Sequence, residues 1–167
     1  MNIRMSDAET AAYRFVDYIL ANQDKYPCDL KDDKMLDVLI AEGLVKYAIE
    51  TYTRSQNDTS LSSLDRNVTL AQSLQIMIQA VQFYSIPVYA YYGAKIMERI
   101  DYGDNADGLK DAINTYKEFI KDQQNFVPDK YSSFALHFHD PEAALLEARK
   151  RIEYLTKLGE FKRLGEV

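Results

Sequence analysis

Residues 32–54, DDKMLDVLIAEGLVKYAIETYTR, carry apolar side chains at helical spacing along their whole length. One apolar row runs from Leu36 to Ala48, and a second row runs from Val38 to Tyr52. A helix that is apolar over so wide an arc needs neighbours on most of its sides. The stretch therefore predicts a helix in the middle of an all-α fold.

The same periodicity recurs along the rest of the chain, and strand-like alternation is almost absent. A first helix is predicted from Ser6, which has capping-box spacing to Glu9, to about Asn22. The later helices are predicted near residues 64–85, 87–100, 109–120 and 141–155, the fourth beginning at Pro87 and the last at Pro141. The third helix, like the second, has broad apolar coverage.

Length and composition favour one domain. A chain of 167 residues can bury roughly two thirds of the surface that it would expose unfolded. The stretch RSQNDTSLSSLDRN, rich in Ser, Asn and Asp, predicts a flexible loop near 54–66. We expect residues 1–167 to form a single all-α domain, a bundle of five to six helices with helices two and three central.

Two short segments echo each other. KYAIETY at 46–52 and KDAINTY at 110–116 share the pattern K-x-A-I-x-T-Y, which is similar to the second helix of a tetratricopeptide repeat. YYGAKI at 91–96 is similar to the first helix of that repeat. The resemblance implies helix hairpins stacked side by side. The intervals do not follow the fixed period of such repeats, so common rules of helix packing are the alternative explanation.

Charge and motif content narrow the function classes. The formal net charge of -6 disfavours nucleic-acid binding, which depends on neutralising phosphates. The slightly basic segment 141–167, with its ARKR run, keeps nucleic-acid binding as a second alternative. There is one cysteine, Cys28, and no glycine-rich phosphate loop, so no catalytic residue can be nominated. An enzyme or small-ligand binder with an unrecognised site remains the first alternative.

The HFHD segment could suggest a metal site. His137 and His139 could share a zinc ion, but a structural site needs four ligands and a catalytic one needs three. No third histidine exists, and Asp140 stands where it would cap the helix that Pro141 begins. We therefore expect an ordinary loop, no metal and no cofactor. An extended loop would place both histidines on one side.

The start of the sequence, MNIRMSDAETAAYRF, lacks the apolar core of a secretion signal. No later run approaches the roughly 20 apolar residues of a membrane span. The expectation is a cytoplasmic protein without a membrane segment.

Tyrosine is unusually frequent: the chain has 13 tyrosines, seven phenylalanines and no tryptophan. In PVYAYYGAKIMERI, residues 87–100, helical spacing predicts that one face points to the core, comprising Tyr89, Tyr92, Gly93, Ile96 and Ile100. Tyr91 then falls on the opposite face, in line with Lys95 and Glu98.

An exposed ring beside other aromatic residues would mark a partner site. We expect Tyr91 and Lys95 to form such a patch with the segment SSFALHFH, through Phe134, His137, Phe138 and His139. The leading prediction is thus a non-catalytic protein-interaction domain, for example a small adaptor, accessory or inhibitor protein. Its partner would be another protein or a second copy of the chain.

Overall fold

The structure, a computed structural model, describes residues 7–100 and 107–165. Every regular element in these two ranges is helical, which confirms the all-α class. The α-helices are α1 (Asp7–Ala21), α2 (Asp33–Asn57), α3 (Ser63–Phe83), α4 (Pro87–Arg99), α5 (Asp107–Gln124), α6 (Lys130–Ala135) and α7 (Pro141–Gly165). The predicted count of five to six was too low, because α6 and a following 3-10 helix, Leu136–Phe138, form where an extended loop was expected.

Short polar side chains fix most of the helix starts. The Asp32 carboxylate accepts hydrogen bonds from the backbone N–H groups of Lys34 and Met35 at the start of α2. The Asp140 carboxylate accepts from Ala143 N at 3.1 Å, which confirms its predicted capping role at α7. The other predicted cap, Ser6, lies outside the described residues.

The connection between α2 and α3 is shorter than predicted. Since α2 continues to Asn57 and α3 begins at Ser63, only residues 58–62 lie between them, and the loop prediction for 54–66 was wrong. Ser62 caps the start of α3, because its hydroxyl accepts from Asp65 N at 3.1 Å. The Arg66 guanidinium donates to the carbonyl oxygens of Ser55 and Asp58, each at 3.1 Å. These bonds satisfy carbonyls at the end of α2 that a helix leaves unpaired.

The described residues divide into two compact units. In the first, residues 7–85 and 128–137, α2 packs against α1, α3 and α6. The second helix thus contacts three other helices within this unit. The third helix is not central, because α3 buries only one face, against α2. The buried residues of that face are Leu70, Ser73, Met77 and Ala80.

The second unit comprises residues 86–100, 107–127 and 138–165. Here α4 packs against both α5 and α7, and α5 also packs against α7. Its core contains large aromatic and aliphatic side chains, namely Tyr89, Tyr91, Ile96, Tyr116, Phe119 and Leu155. The single-domain arrangement of residues 1–167 and the stacked hairpins stay predictions.

Within the ranges that the structure describes, no helix combines the length and the hydrophobicity needed to cross a bilayer.

Candidate interaction surface

The predicted aromatic patch is not a surface, because two of its rings are buried. Tyr91 is 5 % exposed, and its ring lies 5.7 Å from that of Phe119 and 6.1 Å from that of Tyr116, both on α5. The face of α4 that was expected to meet solvent is thus covered by α5. Lys95 lies near the surface, 5.4 Å over the Tyr91 ring and 3.5 Å from the Glu147 carboxylate.

The segment SSFALHF also departs from expectation. Phe134 is 6 % exposed in the first unit, because α6 is a helix packed on α2 and not an extended strand. His137 is exposed, and its Nδ1 lies 3.0 Å from the Phe134 carbonyl oxygen. Burial of Phe134 leaves His137 without the exposed aromatic neighbour that the predicted patch required.

His139 has a defined environment in the second unit. Its Nδ1 lies 2.7 Å from the Tyr92 hydroxyl, and its ring stands edge-on to Tyr89 at 5.8 Å between centroids. Tyr92, His139 and the neighbouring Phe138 are each half-buried. The imidazole therefore fastens the segment before α7 to α4, which is a structural role.

An acid and a base meet inside the second unit. The Glu98 carboxylate, with its side chain only 4 % exposed, receives Arg151 Nη2 at 2.7 Å and Arg151 Nε at 3.2 Å. The Tyr116 hydroxyl donates to the same carboxylate at 2.8 Å, and burial followed by the Glu98 charge raises the pKa of Tyr116. The two charges balance each other and the tyrosine hydroxyl is hydrogen-bonded, so the cluster holds α4, α5 and α7 together.

A cleft of about 430 Å³ lies between α1 and α2. Its walls include the acids Asp7 and Glu50 and the bases Arg14 and Lys46, together with aromatic rings such as Tyr18. Because the two signs balance, the cleft favours neither an anion nor a cation. Among the described residues, no three His, Cys, Asp or Glu side chains are grouped closely enough to hold a metal ion.

Within the described residues, one surface on α3 departs from an ordinary protein exterior. Apolar side chains there remain in solvent: Leu64 is 72 % exposed, Val68 49 % and Ile78 44 %. They lie opposite the face that packs on α2, where the Ser73 hydroxyl donates to the Ala48 carbonyl oxygen at 2.6 Å. We define the outer face of α3 as the exposed residues Leu64, Val68, Ala71, Gln75, Ile78 and Gln82.

This outer face lacks the charges that usually cover a solvated helix. In a chain with 28 % charged residues, no Asp, Glu, Lys or Arg occurs between Arg66 and Lys95. Arg66 itself points its guanidinium at the end of α2. After Arg66, the exposed polar residues of α3 are glutamines, including Gln72 and Gln79 next to the outer face. Such an uncharged, partly apolar helix face is typical of a surface that another helix covers.

Sequence reasoning missed this surface although a signal was present. Broad apolar coverage of α3 was interpreted as burial on most sides. The long uncharged run from Asn67 to Ala94, interrupted on α3 by glutamines at helical spacing, would have separated an interface helix from a buried one. The more deeply buried helix α2, in contrast, carries charged residues on its narrow exposed side, for example Lys46 and Glu50.

Comparison with known proteins gives no family assignment, since no protein-family model, no curated protein and no solved structure matches this chain.

Proposed function

We propose that this chain is a cytoplasmic, non-catalytic protein-interaction domain whose contact surface is the outer face of α3. The observation that carries the proposal is the exposure of Leu64, Val68 and Ile78 on a helix face without charge. Covering these side chains with a partner would remove apolar area from water, which stabilises a complex. This face takes the place of the predicted patch around Tyr91, because the buried Tyr91 ring cannot contact a partner.

The ionisable groups with shifted pKa values also agree with a binding domain, because each is engaged in contacts within the fold. Glu98, Arg151 and Tyr116 satisfy one another inside the second unit. In the first unit, Asp32 is held by Tyr131 and by the backbone at the start of α2. Catalytic groups are usually perturbed by burial and also open to a substrate. These groups instead serve the packing of helices.

A comparison of baits tests the proposal. The wild-type chain and the variant Val68→Glu/Ile78→Glu are used to capture proteins from the host cytoplasm, and recovery is quantified by mass spectrometry. Each substitution places a carboxylate where the partner should pack, so recovery of the true partner should fall at least about tenfold. A second copy of the chain counts as a partner. Binding is then repeated with the purified partner.

Leu146→Glu supplies the matched control. Leu146 is an exposed apolar residue of a different helix, α7, and is 57 % exposed. The control bait should recover the partner as well as the wild type does. The proposal is wrong if every captured protein is recovered equally by the wild type, the α3 variant and the control.

A further inference from the structure

We infer that the partner of the outer face of α3 is a second copy of this chain, with the two α3 helices antiparallel. The inference rests on the proposed function and names the occupant of the same surface. It follows from the spacing of the face, from the absence of charge and from the order of large and small side chains.

The spacing of the outer face is that of a two-helix seam. Its six residues succeed one another at intervals of four, three, four, three and four positions. This alternation keeps side chains on one line where two helices cross at a shallow angle. The series of intervals is also the same when it is counted from either end of the helix. An isologous contact with two-fold symmetry requires such a self-matching surface.

The pairs that an antiparallel contact creates are complementary in size. Val68 lies opposite Ile78 of the second copy, and Leu64 lies opposite Gln82 of the second copy. Near the two-fold axis the small Ala71 lies opposite the longer Gln75 of the second copy. A small residue facing a long one lets the two helices interdigitate. Gln72 and Gln79 flank the seam. Each amide both donates and accepts hydrogen bonds, so glutamine amides of one copy can hydrogen-bond to those of the other.

Self-pairing through this face avoids direct contact between like charges. Each copy carries a formal net charge of -6, so most faces of two copies repel one another. On α3 only Asp65 and Arg66, in the first turns, are charged, and Arg66 is engaged by α2. A parallel pair would bring two Asp65 carboxylates to the same end. An antiparallel pair moves the two carboxylates to opposite ends of the contact and sets the two helix dipoles antiparallel. Each carboxylate then lies near the negative C-terminal end of the other helix, which offsets part of this gain.

The length of the face sets the strength of the contact. A helix of 21 residues extends about 30 Å, so one pair of such helices buries an area at the lower end of specific interfaces, below about 1,200 Å² in total. We therefore expect a reversible dimer whose population depends on protein concentration in the micromolar range.

Sedimentation velocity of the full-length chain over a range of concentrations measures this association. The wild type and Leu146→Glu should both shift from monomer to dimer as concentration rises. Val68→Glu/Ile78→Glu should bind itself at least about tenfold more weakly, because four carboxylates would meet at one contact. Circular dichroism melting of each variant establishes that the fold is retained.

A charge exchange tests the direction of the helices. In Val68→Lys/Ile78→Glu, an antiparallel pair places each lysine opposite a glutamate of the second copy, whereas a parallel pair would place like charges together. The doubly substituted chain should therefore dimerise at least about tenfold better than Val68→Glu/Ile78→Glu. Since both substitutions lie on exposed positions, folding failure would not mimic this gain.

Three results would overturn the inference. These are a monomeric wild type at all concentrations, a dimer that survives Val68→Glu/Ile78→Glu, and no gain from the charge exchange. The first result, combined with capture of another protein through α3, would leave the proposed function intact and give the surface a different occupant. Loss of both the dimer and every α3-dependent partner would end both proposals.

Discussion

Gly43 shows at the scale of one residue how α1 and α2 come into contact. A β-carbon at this position would lie 2.6 Å from the Cα of Ala12 and 3.0 Å from the Cβ of Phe15. Both helices are close at this point because neither residue 43 nor residue 12 carries a long side chain. The contact depends on backbone atoms, which cannot move aside as a flexible side chain could.

Gly43→Ala should therefore destabilise the chain, by about 1 to 3 kcal/mol, because the added methyl group separates α1 from α2. Helix propensity alone would predict the opposite. Urea denaturation measures the free energy of unfolding.

Gly159→Ala provides the comparison for this change. Apart from its chain neighbours and the backbone of α7 itself, no atom lies within 4 Å of a β-carbon at residue 159, which is inside α7. The alanine should leave stability unchanged or raise it by up to about 1 kcal/mol. If Gly43→Ala were as well tolerated as Gly159→Ala, the close crossing of α1 and α2 would be refuted.

Asp32 combines a helix cap with a long-range hydrogen bond. The Tyr131 hydroxyl donates to its carboxylate at 2.6 Å, and this bond is the first cause that holds the pKa of Asp32 below its usual value. The folded state therefore gains stability from ionised Asp32 above the unfolded-state pKa of about 3.9. That contribution is lost as the pH falls through the lower folded-state pKa.

Tyr131→Phe removes the donor and should lower the melting temperature at neutral pH. The difference from the wild type should narrow as the pH is lowered below about 3.9, since Asp32 then becomes protonated in both proteins. Tyr13→Phe, at an exposed position of α1, should show little effect at any pH. A difference for Tyr131→Phe that stays constant down to the lowest pH would indicate that ring packing, not the carboxylate, is responsible.

At the scale of the elements, an ion pair between Glu98 and Arg151 joins α4 to α7 in the second unit. Arg151→Met would remove the nearer cation from the Glu98 carboxylate, which is 4 % exposed, and leave only the half-exposed Arg99, whose Nε lies 3.7 Å from Glu98 Oε1. A buried carboxylate that loses its nearer cation destabilises the fold by up to about 3 kcal/mol. Denaturant unfolding of Arg151→Met should show a loss of this size.

The double variant Glu98→Gln/Arg151→Met separates charge from packing. It removes both charges while the amide can still accept from Tyr116. We expect its stability to lie between those of the wild type and Arg151→Met. If the double variant were less stable than Arg151→Met, the ion pair would stabilise the fold by more than the burial of its charges costs.

Helix periodicity predicted the elements well where one helix has one clear face. It placed five residues of this segment in the core, of which Tyr89, Gly93 and Ile96 are buried, whereas Tyr92 and Ile100 are only half-buried. It failed for Tyr91, because periodicity describes a helix with one buried side, and α4 contacts both α5 and α7. Which other helix covers the second side depends on long-range packing that a single sequence does not show.

The segment around α6 failed for a local reason. Alternation of Phe134, Leu136 and Phe138 indicated an extended chain. The competing signal was the helix start at Asp129, whose carboxylate accepts from Ser132 N while the Ser132 hydroxyl accepts from Asp129 N. This reciprocal cap determines the conformation of a six-residue helix more strongly than alternation does.

At the scale of the whole molecule, net charge opposes the association that α3 favours. Two copies, each with a formal charge of -6, repel at long range. Added salt screens this repulsion, with a screening length near 10 Å at about 0.1 M, and leaves the uncharged seam unaffected. The balance between the two effects depends on ionic strength.

Wild-type dimerisation should therefore strengthen a few-fold when salt is raised from low to moderate concentration. Val68→Lys/Ile78→Glu should respond in the opposite direction, because its attraction comes from charge pairs that salt weakens. Sedimentation at two ionic strengths measures both dissociation constants. Weakening of the wild-type dimer by salt would show that charged groups, not the outer face of α3, hold the copies together.

The hydrogen bonds from Arg66 to the end of α2 also affect where a protease can cleave this chain. Trypsin cleaves after Lys or Arg in segments that can adopt an extended form in its active site, and loop tips usually offer such segments. The connection at residues 58–62 contains neither residue, Arg54 lies inside α2, and the Arg66 side chain is held by Ser55 and Asp58. Brief digestion followed by intact-mass measurement should return α2 and α3 joined in one fragment, whereas early cleavage after Arg66 would show that these bonds do not persist in solution.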